Sequence, residues 1–187
     1  MVLSSLLQKL LFVNQFSIKD GKIEILGKRY IMLDADDLVV LQDIDKTKMY
    51  KAVKDSTKSS MQSLVEHVQV YKGIKYQSLK NIAELSKKIG KTDEGVIKTL
   101  QSLFEIYGLG KLLILDLDNK NKRAFLRIEK STIALSQLEK ARTRIPVCTL
   151  TAGILAGIFS YIFNKDVDCI EKECLATGKE FCQFEVG

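Results

Sequence analysis

The fold is decided by the closing stretch Cys148-Thr-Leu-Thr-Ala-Gly-Ile-Leu-Ala-Gly-Ile-Phe-Ser-Tyr-Ile-Phe163, which leads to Glu171-Lys-Glu-Cys174 and then to Cys182. The first part is an uncharged, apolar run. It predicts a helix over residues 147–163 with Pro146 in its first turn, a position that proline tolerates well. Residues 167–173 and 180–186 are predicted as the two strands of a closing hairpin.

Three cysteines and one glutamate in this stretch have the spacing of a metal site. Cys148, Glu171, Cys174 and Cys182 are separated by 23, 3 and 8 positions. A helix N-terminus, a strand end and a hairpin can bring such groups together. Thiolates and a carboxylate suit tetrahedral Zn²⁺, and four of them would close the site to substrate, so we expect a structural role. The residues alone leave open that these are inert, buried cysteines beside an exposed glutamate.

Nearby basic residues are expected to offset the negative charge of such a site. They are Arg142, Arg144, Lys172 and Lys179.

Composition indicates one domain, or a compact domain with a small attachment, that buries its own core. The chain has 187 residues, 46% apolar residues and a net charge of +6, with its lysines and arginines spread along the sequence. Such a spread is typical of a soluble surface and does not indicate nucleic acid. The start, Met1 to Phe12, lacks a basic leader and a cleavage site, so we expect no signal peptide and a cytoplasmic protein. Residues 145–163 are uncharged but diluted by polar residues, and we expect no membrane span.

The remaining pattern predicts an antiparallel sheet packed with helices, an α+β fold. Asp34 is expected to cap a helix that runs to about Ile44. A long helix is expected over residues 46–72, although its polar middle, residues 54–60, is a candidate break. The other expected elements are a hairpin over 12–31, helices over 79–89 and 93–107, strands over 112–117 and 123–128, and a helical turn near 135–140 within an ambiguous segment.

Gly153 and Gly157 lie four residues apart on the predicted closing helix, with Ala152 and Ala156 beside them. A face built from such small residues lets another backbone approach closely. Two interpretations stay open from the residues: tight packing against a sheet or helix, or room left for a ligand.

Several spaced motifs resemble one known family. They are Cys148, the run from Ala152 to Gly157, Glu171-x-x-Cys174, Gly178 and Cys182-Gln-Phe184. Together they resemble the closing signature of the 4-vinyl reductase domain. That domain is also the ligand sensor of bacterial phenol- and xylene-responsive activators and a distant relative of TRAPP vesicle-tethering subunits. The signature covers about residues 145–187, and the step Gly108-Leu-Gly110 and the N-terminal hairpin also look like this family.

The resemblance implies an α/β hydrocarbon-binding domain, usually a homodimer, with an apolar pocket between helices and sheet. In the aromatic-sensing members a zinc ion sits beside that pocket. Its ligands match Cys148, Glu171, Cys174 and Cys182 position by position. By this resemblance residues 1–45 are expected to form a dimerisation segment and residues 46–187 the ligand-binding domain.

Pocket positions follow from the same resemblance. Ala152 and Cys169 fall where phenol sensors tend to carry tyrosines, so a larger or more aliphatic ligand than phenol is expected. Phe104, Tyr107 and Tyr161 are candidate pocket aromatics, with plain core as the alternative. The only histidine, His67, is not expected to act as a ligand.

The function expected is therefore a stand-alone binding or sensing domain for a small hydrophobic molecule, stabilised by zinc. The alternative is a DNA-binding regulator in which residues 79–128 form a winged helix, with a two-stranded wing around Asp118-Asn-Lys-Asn121. Acidic residues on its recognition helix, Asp93, Glu94 and Glu105, would repel phosphates, so nucleic acid is not expected. We find no nucleophile–base pair, no phosphate loop and no open metal position, and we expect no enzyme.

Overall fold

A computed structural model describes residues 16–25, 28–70, 100–101, 103–105 and 107–187. Its strands are β1 (Phe16–Lys19), β2 (Lys22–Ile25), β3 (Lys28–Tyr30), β4 (Lys111–Asp118), β5 (Arg123–Glu129), β6 (Cys169–Glu173) and β7 (Cys182–Val186). Its helices are α1 (Ala35–Ile44), α2 (Lys46–Val70), α3 (Thr132–Lys140) and α4 (Thr149–Phe163). Residues 100, 101 and 103–105 are also helical, and Leu175–Thr177 form one 3₁₀ turn.

The main sheet is antiparallel, with strand order β4-β5-β7-β6. One face is buried, because Ala124, Leu126 and Ile128 of β5 alternate with half-exposed residues, and β7 does the same. Helix α4 covers this face with Leu155, Phe159 and other apolar side chains. The α+β fold predicted from the sequence is confirmed.

The β4–β5 pair is not a wing. β5 pairs with β7 over its whole length, with Leu126 opposite Phe184 and Ile128 opposite Cys182. Because these strands are half of a four-stranded sheet with a buried face, the winged-helix interpretation of residues 79–128 is wrong in this part. Its helix over 79–89, and most of the one over 93–107, lie outside the described residues.

Helix α2 packs directly on α4 across the two glycines. A Cβ atom placed on Gly157 would lie 2.5 Å from the carbonyl oxygen of Lys54, and one on Gly153 would lie 2.9 Å from that of Tyr50. Glycine therefore sets the distance between the two helices. Of the two interpretations left open by the sequence, tight packing is correct on this face of α4.

A second, three-stranded sheet, β1-β2-β3, precedes α1. The sequence predicted the β1–β2 hairpin and missed β3. Its residue Tyr30 stacks on Tyr107, with ring centroids 5.9 Å apart and the two hydroxyls 3.0 Å apart. This contact fixes the small sheet to the segment that enters β4.

Most helix boundaries agree with the sequence patterns. Asp34 caps α1, where its carboxylate accepts a hydrogen bond from the backbone N–H of Asp36 at 2.9 Å. The polar residues 54–60 do not break α2. The ambiguous segment holds a full helix, α3, capped by Ser131. Helix α4 begins at Thr149, so Pro146 precedes the helix and does not lie in its first turn, as the sequence had suggested.

Candidate metal centre

The structure brings Cys148, Glu171, Cys174 and Cys182 together. One ligand atom from each residue lies within 4.8 Å of the others. The Sγ atom of Cys148 is 3.7 Å from that of Cys182 and 4.0 Å from that of Cys174. All three cysteines are fully buried and form no disulfide, so the cluster combines four soft or anionic donors in a dry place.

Three elements position these side chains. Cys148 is the N-cap residue of α4, Cys174 follows the last residue of β6, and Cys182 begins β7. The position of Cys182 is fixed by its pairing with Ile128 of β5. The site therefore joins one helix end to the two strands beside it.

A bulge in β6 explains how Glu171 and Cys174 can share a site. Residues three apart on a regular strand point to opposite faces of a sheet. Here Glu171 pairs with Phe184 and Glu173 pairs with Gln183, so Lys172 is an extra residue in β6. A bulge re-aims the side chains that follow it. As a result Glu171 and Cys174 both face α4.

The turn after Cys174 is held by hydrogen bonds and one glycine. The hydroxyl of Thr177 donates to the carbonyl of Cys174 at 2.7 Å, and Arg142 donates to the carbonyl of Thr177 at 2.9 Å. Gly178 closes the turn with φ = 91°, a conformation that favours glycine. The backbone N–H of Leu175 points at the Sγ of Cys182 at 3.4 Å. Such an N–H stabilises a thiolate.

The carboxylate of Glu171 has one partnered and one unpartnered oxygen. Its Oε2 accepts a hydrogen bond from the backbone N–H of Cys148 at 2.8 Å, which caps α4 in place of a side chain from the N-cap residue. Its Oε1 is buried and has no hydrogen-bond partner. A buried carboxylate oxygen without a partner is costly, and a bound cation would satisfy it.

The electrostatics of the cluster favour a cation. Burial raises the pKa of Glu171 to about 8, and the neighbouring Cys174 thiolate adds to this rise. Contacts with Cys174 and Cys182 raise the pKa of Cys148, while contact with Cys148 lowers that of Cys174. The site by itself thus supports one thiolate and keeps its neighbours protonated. A divalent cation in the centre would let all four groups ionise.

The predicted charge offset is different from what the sequence suggested. Lys172 pairs with Glu185 at 3.1 Å, and Lys179 pairs with Glu173 at 3.1 Å. Arg142 holds the turn carbonyl of Thr177. These cations balance carboxylates and carbonyls on the rim, which leaves the cluster itself without a neighbouring side-chain cation among these three.

The predicted pocket residues are more dispersed. Ala152 and Cys169 are both buried, on α4 and at the start of β6, and Phe104 is in the core. Tyr161 is half-buried against the core, and Tyr107 is 42% exposed and bonded to Tyr30. The side chain of His67 lies outside the described part of α2.

Sequence reasoning missed a polar cluster that ties α2 to β6. The buried Lys54 donates to Asp166 at 3.0 Å and to Asp168 at 2.8 Å. Tyr50 donates to Asp168 at 3.1 Å and accepts from the backbone N–H of Cys169 at 2.8 Å. The only signal in the sequence was a lysine at an inward position of the long helix, which its apolar neighbours made easy to overlook.

Comparison with known proteins agrees with this fold and site. Residues 127–187 match the family model of the 4-vinyl reductase domain. That segment contains all four residues of the cluster. The resemblance predicted from the closing signature is confirmed.

Individual relatives extend the likeness over more of the chain. An uncharacterized protein of Methanocaldococcus jannaschii is 33% identical over 103 residues, which are 55% of this chain and 58% of the relative. The phenol-responsive sensory domain of the transcription activator PoxR, solved with phenol, has the same fold. Its TM-score is 0.63 at 22% identity, over 98% of this chain and 87% of that one. A vinyl-4-reductase family protein of M. jannaschii aligns with a TM-score of 0.47 at 20% identity, over 86% and 83% of the two chains.

None of the helices in the described ranges is both long enough and apolar enough to cross a membrane.

Proposed function

We propose that this chain is a small-molecule binding or sensing domain whose ligand is mainly apolar. The observation that carries the proposal is the family match over residues 127–187, which coincides with the metal cluster and with α4. The shared fold with a phenol-responsive sensory domain supports the same class of function. The described residues offer a core lined by apolar side chains and no exposed nucleophile–base pair, so we do not assign an enzymatic reaction.

Zinc is the metal that we propose for the cluster. Three thiolates and one carboxylate match the soft-to-borderline donor set that zinc takes in closed, four-coordinate sites. Cys148, Glu171, Cys174 and Cys182 would hold it. Its role would be structural, since it would tie the first turn of α4 to β6 and β7. X-ray absorption at the zinc edge tests the assignment, with three sulfurs expected at about 2.3 Å and one oxygen at about 2.0–2.2 Å.

The ligand is proposed to lie between α4 and the helices and strands packed around it. Ala152 and Cys169 are small and buried, which supports a ligand larger or more aliphatic than phenol. Phe104, Tyr107 and Tyr161 remain proposals as pocket aromatics. The exposure of Tyr107 and its bond to Tyr30 make it the weakest of the three.

A ligand screen tests the binding function. The purified protein is heated with alkanes, alkenes, alkylbenzenes and phenols of graded size, and its melting is followed by circular dichroism. We expect at least one apolar series to raise the melting temperature, with the optimum above the size of phenol, because a ligand that binds only the folded state stabilises it. No rise with any compound, and no bound small molecule released by denaturation, would contradict the proposal.

A homodimer is part of the proposal and rests on an exposed apolar patch. The patch consists of Ile31, Met32, Leu33, Val40, Leu41 and Ile44. Ile31 is 83% exposed, Met32 75% and Ile44 76%. A contiguous apolar surface of this kind is typical of an interaction site. Because it falls within residues 1–45, it supports the dimerisation role expected for that segment.

A further inference from the structure

Two polar side chains at the first turn of α4 are buried without partners. Gln42 of α1 and Thr151 of α4 have no exposed surface. The Nε2 atom of Gln42 and the Oγ1 atom of Thr151 have no hydrogen-bond partner. Most buried polar atoms in native proteins are paired, so each exception needs an explanation, such as a bound molecule.

The geometry places both atoms beside the same helix turn. The Oε1 of Gln42 accepts a hydrogen bond from the backbone N–H of Leu150 at 3.3 Å. This bond fixes the amide plane, and Nε2 is on the same amide group. Thr151 is the next residue of α4. Two unsatisfied donors therefore flank the N-terminal turn of a fifteen-residue helix, whose partial positive charge also favours an acceptor.

The surroundings decide the charge of the molecule that would fit. The acidic cluster adjoins this turn, because Cys148 is the N-cap of α4 and its N–H is bonded to Glu171. Three thiolates, one carboxylate and a divalent cation would carry a net charge of about −2, which repels an anion. The amide N–H₂ of Gln42 can only donate, which excludes a cation. A neutral acceptor remains.

We propose that Gln42 and Thr151 form a polar anchor for a carbonyl oxygen of a neutral, otherwise apolar ligand. A carbonyl oxygen has two lone pairs and no hydrogen, so it can accept from Gln42 and from Thr151 and leaves no donor unpaired. A hydroxyl oxygen in the same place would bring a further donor into a buried site. This inference rests on the proposed binding function and names the ligand class within it.

The test compares two probes of nearly equal shape, acetophenone and ethylbenzene, on the metal-loaded full chain. Affinities and the side-chain amide resonance of Gln42, assigned by its loss in Gln42→Met, are followed by NMR titration. We expect acetophenone to bind about tenfold more tightly than ethylbenzene, the effect of one to two hydrogen bonds. The Gln42 resonance is expected to shift with acetophenone and not with ethylbenzene.

Variants separate an anchor from a purely structural role. Thr151→Val and Gln42→Met are expected to abolish most of the preference for acetophenone. Gln137→Met is the matched control, because the Gln137 side chain is bonded to the carbonyl of Ala141 on α3, and it should leave the preference intact. Thr151→Val keeps the side-chain shape, so it should fold and melt at or above the wild-type temperature without ligand.

Three results would overturn the anchor. One is equal affinity for the two probes, which would leave the binding function standing. The second is an unchanged preference in both variants. The third is failure of acetophenone to bind at all while the apolar screen yields a ligand, or an internal water found alone on Gln42 and Thr151. Failure of the whole screen would instead contradict the binding function as well.

Discussion

At the scale of the residue, Lys54 is the clearest case of a charge used inside the fold. Its side chain is 8% exposed, and its two partners, Asp166 and Asp168, are largely exposed. Burial opposes the charge of Lys54, but the hydrogen bonds and charges of the two aspartates outweigh this effect and raise its pKa. The same contact with Lys54 lowers the pKa of Asp168. The pair is therefore ionised over the whole neutral range.

The lowered pKa of Asp168 predicts an acid-dependent loss of stability. A carboxyl group with a lowered folded pKa contributes stability above its unfolded value, which is near 3.8, and loses it as the pH falls below that value. In Lys54→Met this part of the acid sensitivity should disappear, because Asp168 then titrates alike in both states. Urea unfolding at pH 3 and pH 6 measures it.

Lys58→Met is the matched control for this experiment. Lys58 lies one turn further along α2 and is 3.8 Å from Asp166, with 37% of its side chain exposed. It should keep most of the wild-type pH dependence. Equal pH dependence in wild type and Lys54→Met would show that the buried lysine does not hold Asp168.

Residue patterns in the sequence predicted the metal cluster better than its surroundings. The cysteine and glutamate spacing was visible because chemistry restricts the ligand types. The partners of Lys172 and Lys179 were not, since a surface lysine in sequence has several carboxylates within reach. Gln42 and Thr151 were also invisible, because a lack of hydrogen-bond partners is a property of packing and not of composition.

At the scale of the element, the α2–α4 contact depends on Gly157. An alanine there would place its Cβ atom 2.5 Å from the Lys54 carbonyl oxygen and 2.7 Å from the Cβ of Thr57, so the helices would have to separate. Alanine is the better helix former, yet forced overpacking costs about 1–3 kcal/mol in a tight core. We expect Gly157→Ala to lower the free energy of unfolding within that range.

Gly153→Ala gives the graded comparison for the same contact. Its nearest neighbours would be the Tyr50 carbonyl oxygen at 2.9 Å and the Val53 side chain at 3.2 Å, which is less severe. Denaturant unfolding should rank wild type above Gly153→Ala and Gly153→Ala above Gly157→Ala. A reversed order, or a stabilised Gly157→Ala, would contradict the close helix approach.

Element types were largely predictable, and strand pairing was not. The turn signal at Asp20-Gly21 and the alternation in β4 and β5 identified strands that the structure contains. The partner of β5 is β7, which lies about 60 residues away, and no local pattern specifies that choice. For the same reason β4 and β5 could be taken for a wing. The missed strand β3 is only three residues long.

At the scale of the whole molecule, the apolar patch predicts association. Ile44→Asp would place a charge in the middle of the proposed dimer interface, where it could not be solvated. We expect this variant to elute as a monomer under conditions where the wild type elutes as a dimer. Size-exclusion chromatography with light scattering measures the mass.

Ile170→Asp is the matched control for association. Ile170 is an isoleucine of similar exposure, at 58%, on β6 and outside the patch. It should leave the dimer unchanged. A monomeric wild type, or dissociation by both variants alike, would contradict the role of this patch.

The central claim is that a metal ion joins α4 to β6 and β7 and so completes a ligand-binding domain. Native mass spectrometry of the untagged protein, purified without chelator, tests it most directly. We expect one zinc per chain in the wild type and in Cys169→Ser, whose thiol is buried outside the cluster. We expect none in Cys174→Ser, together with a lower melting temperature, because metal binding energy contributes to folding. A metal-free wild type that is fully folded, or equal zinc in Cys174→Ser, would contradict the account.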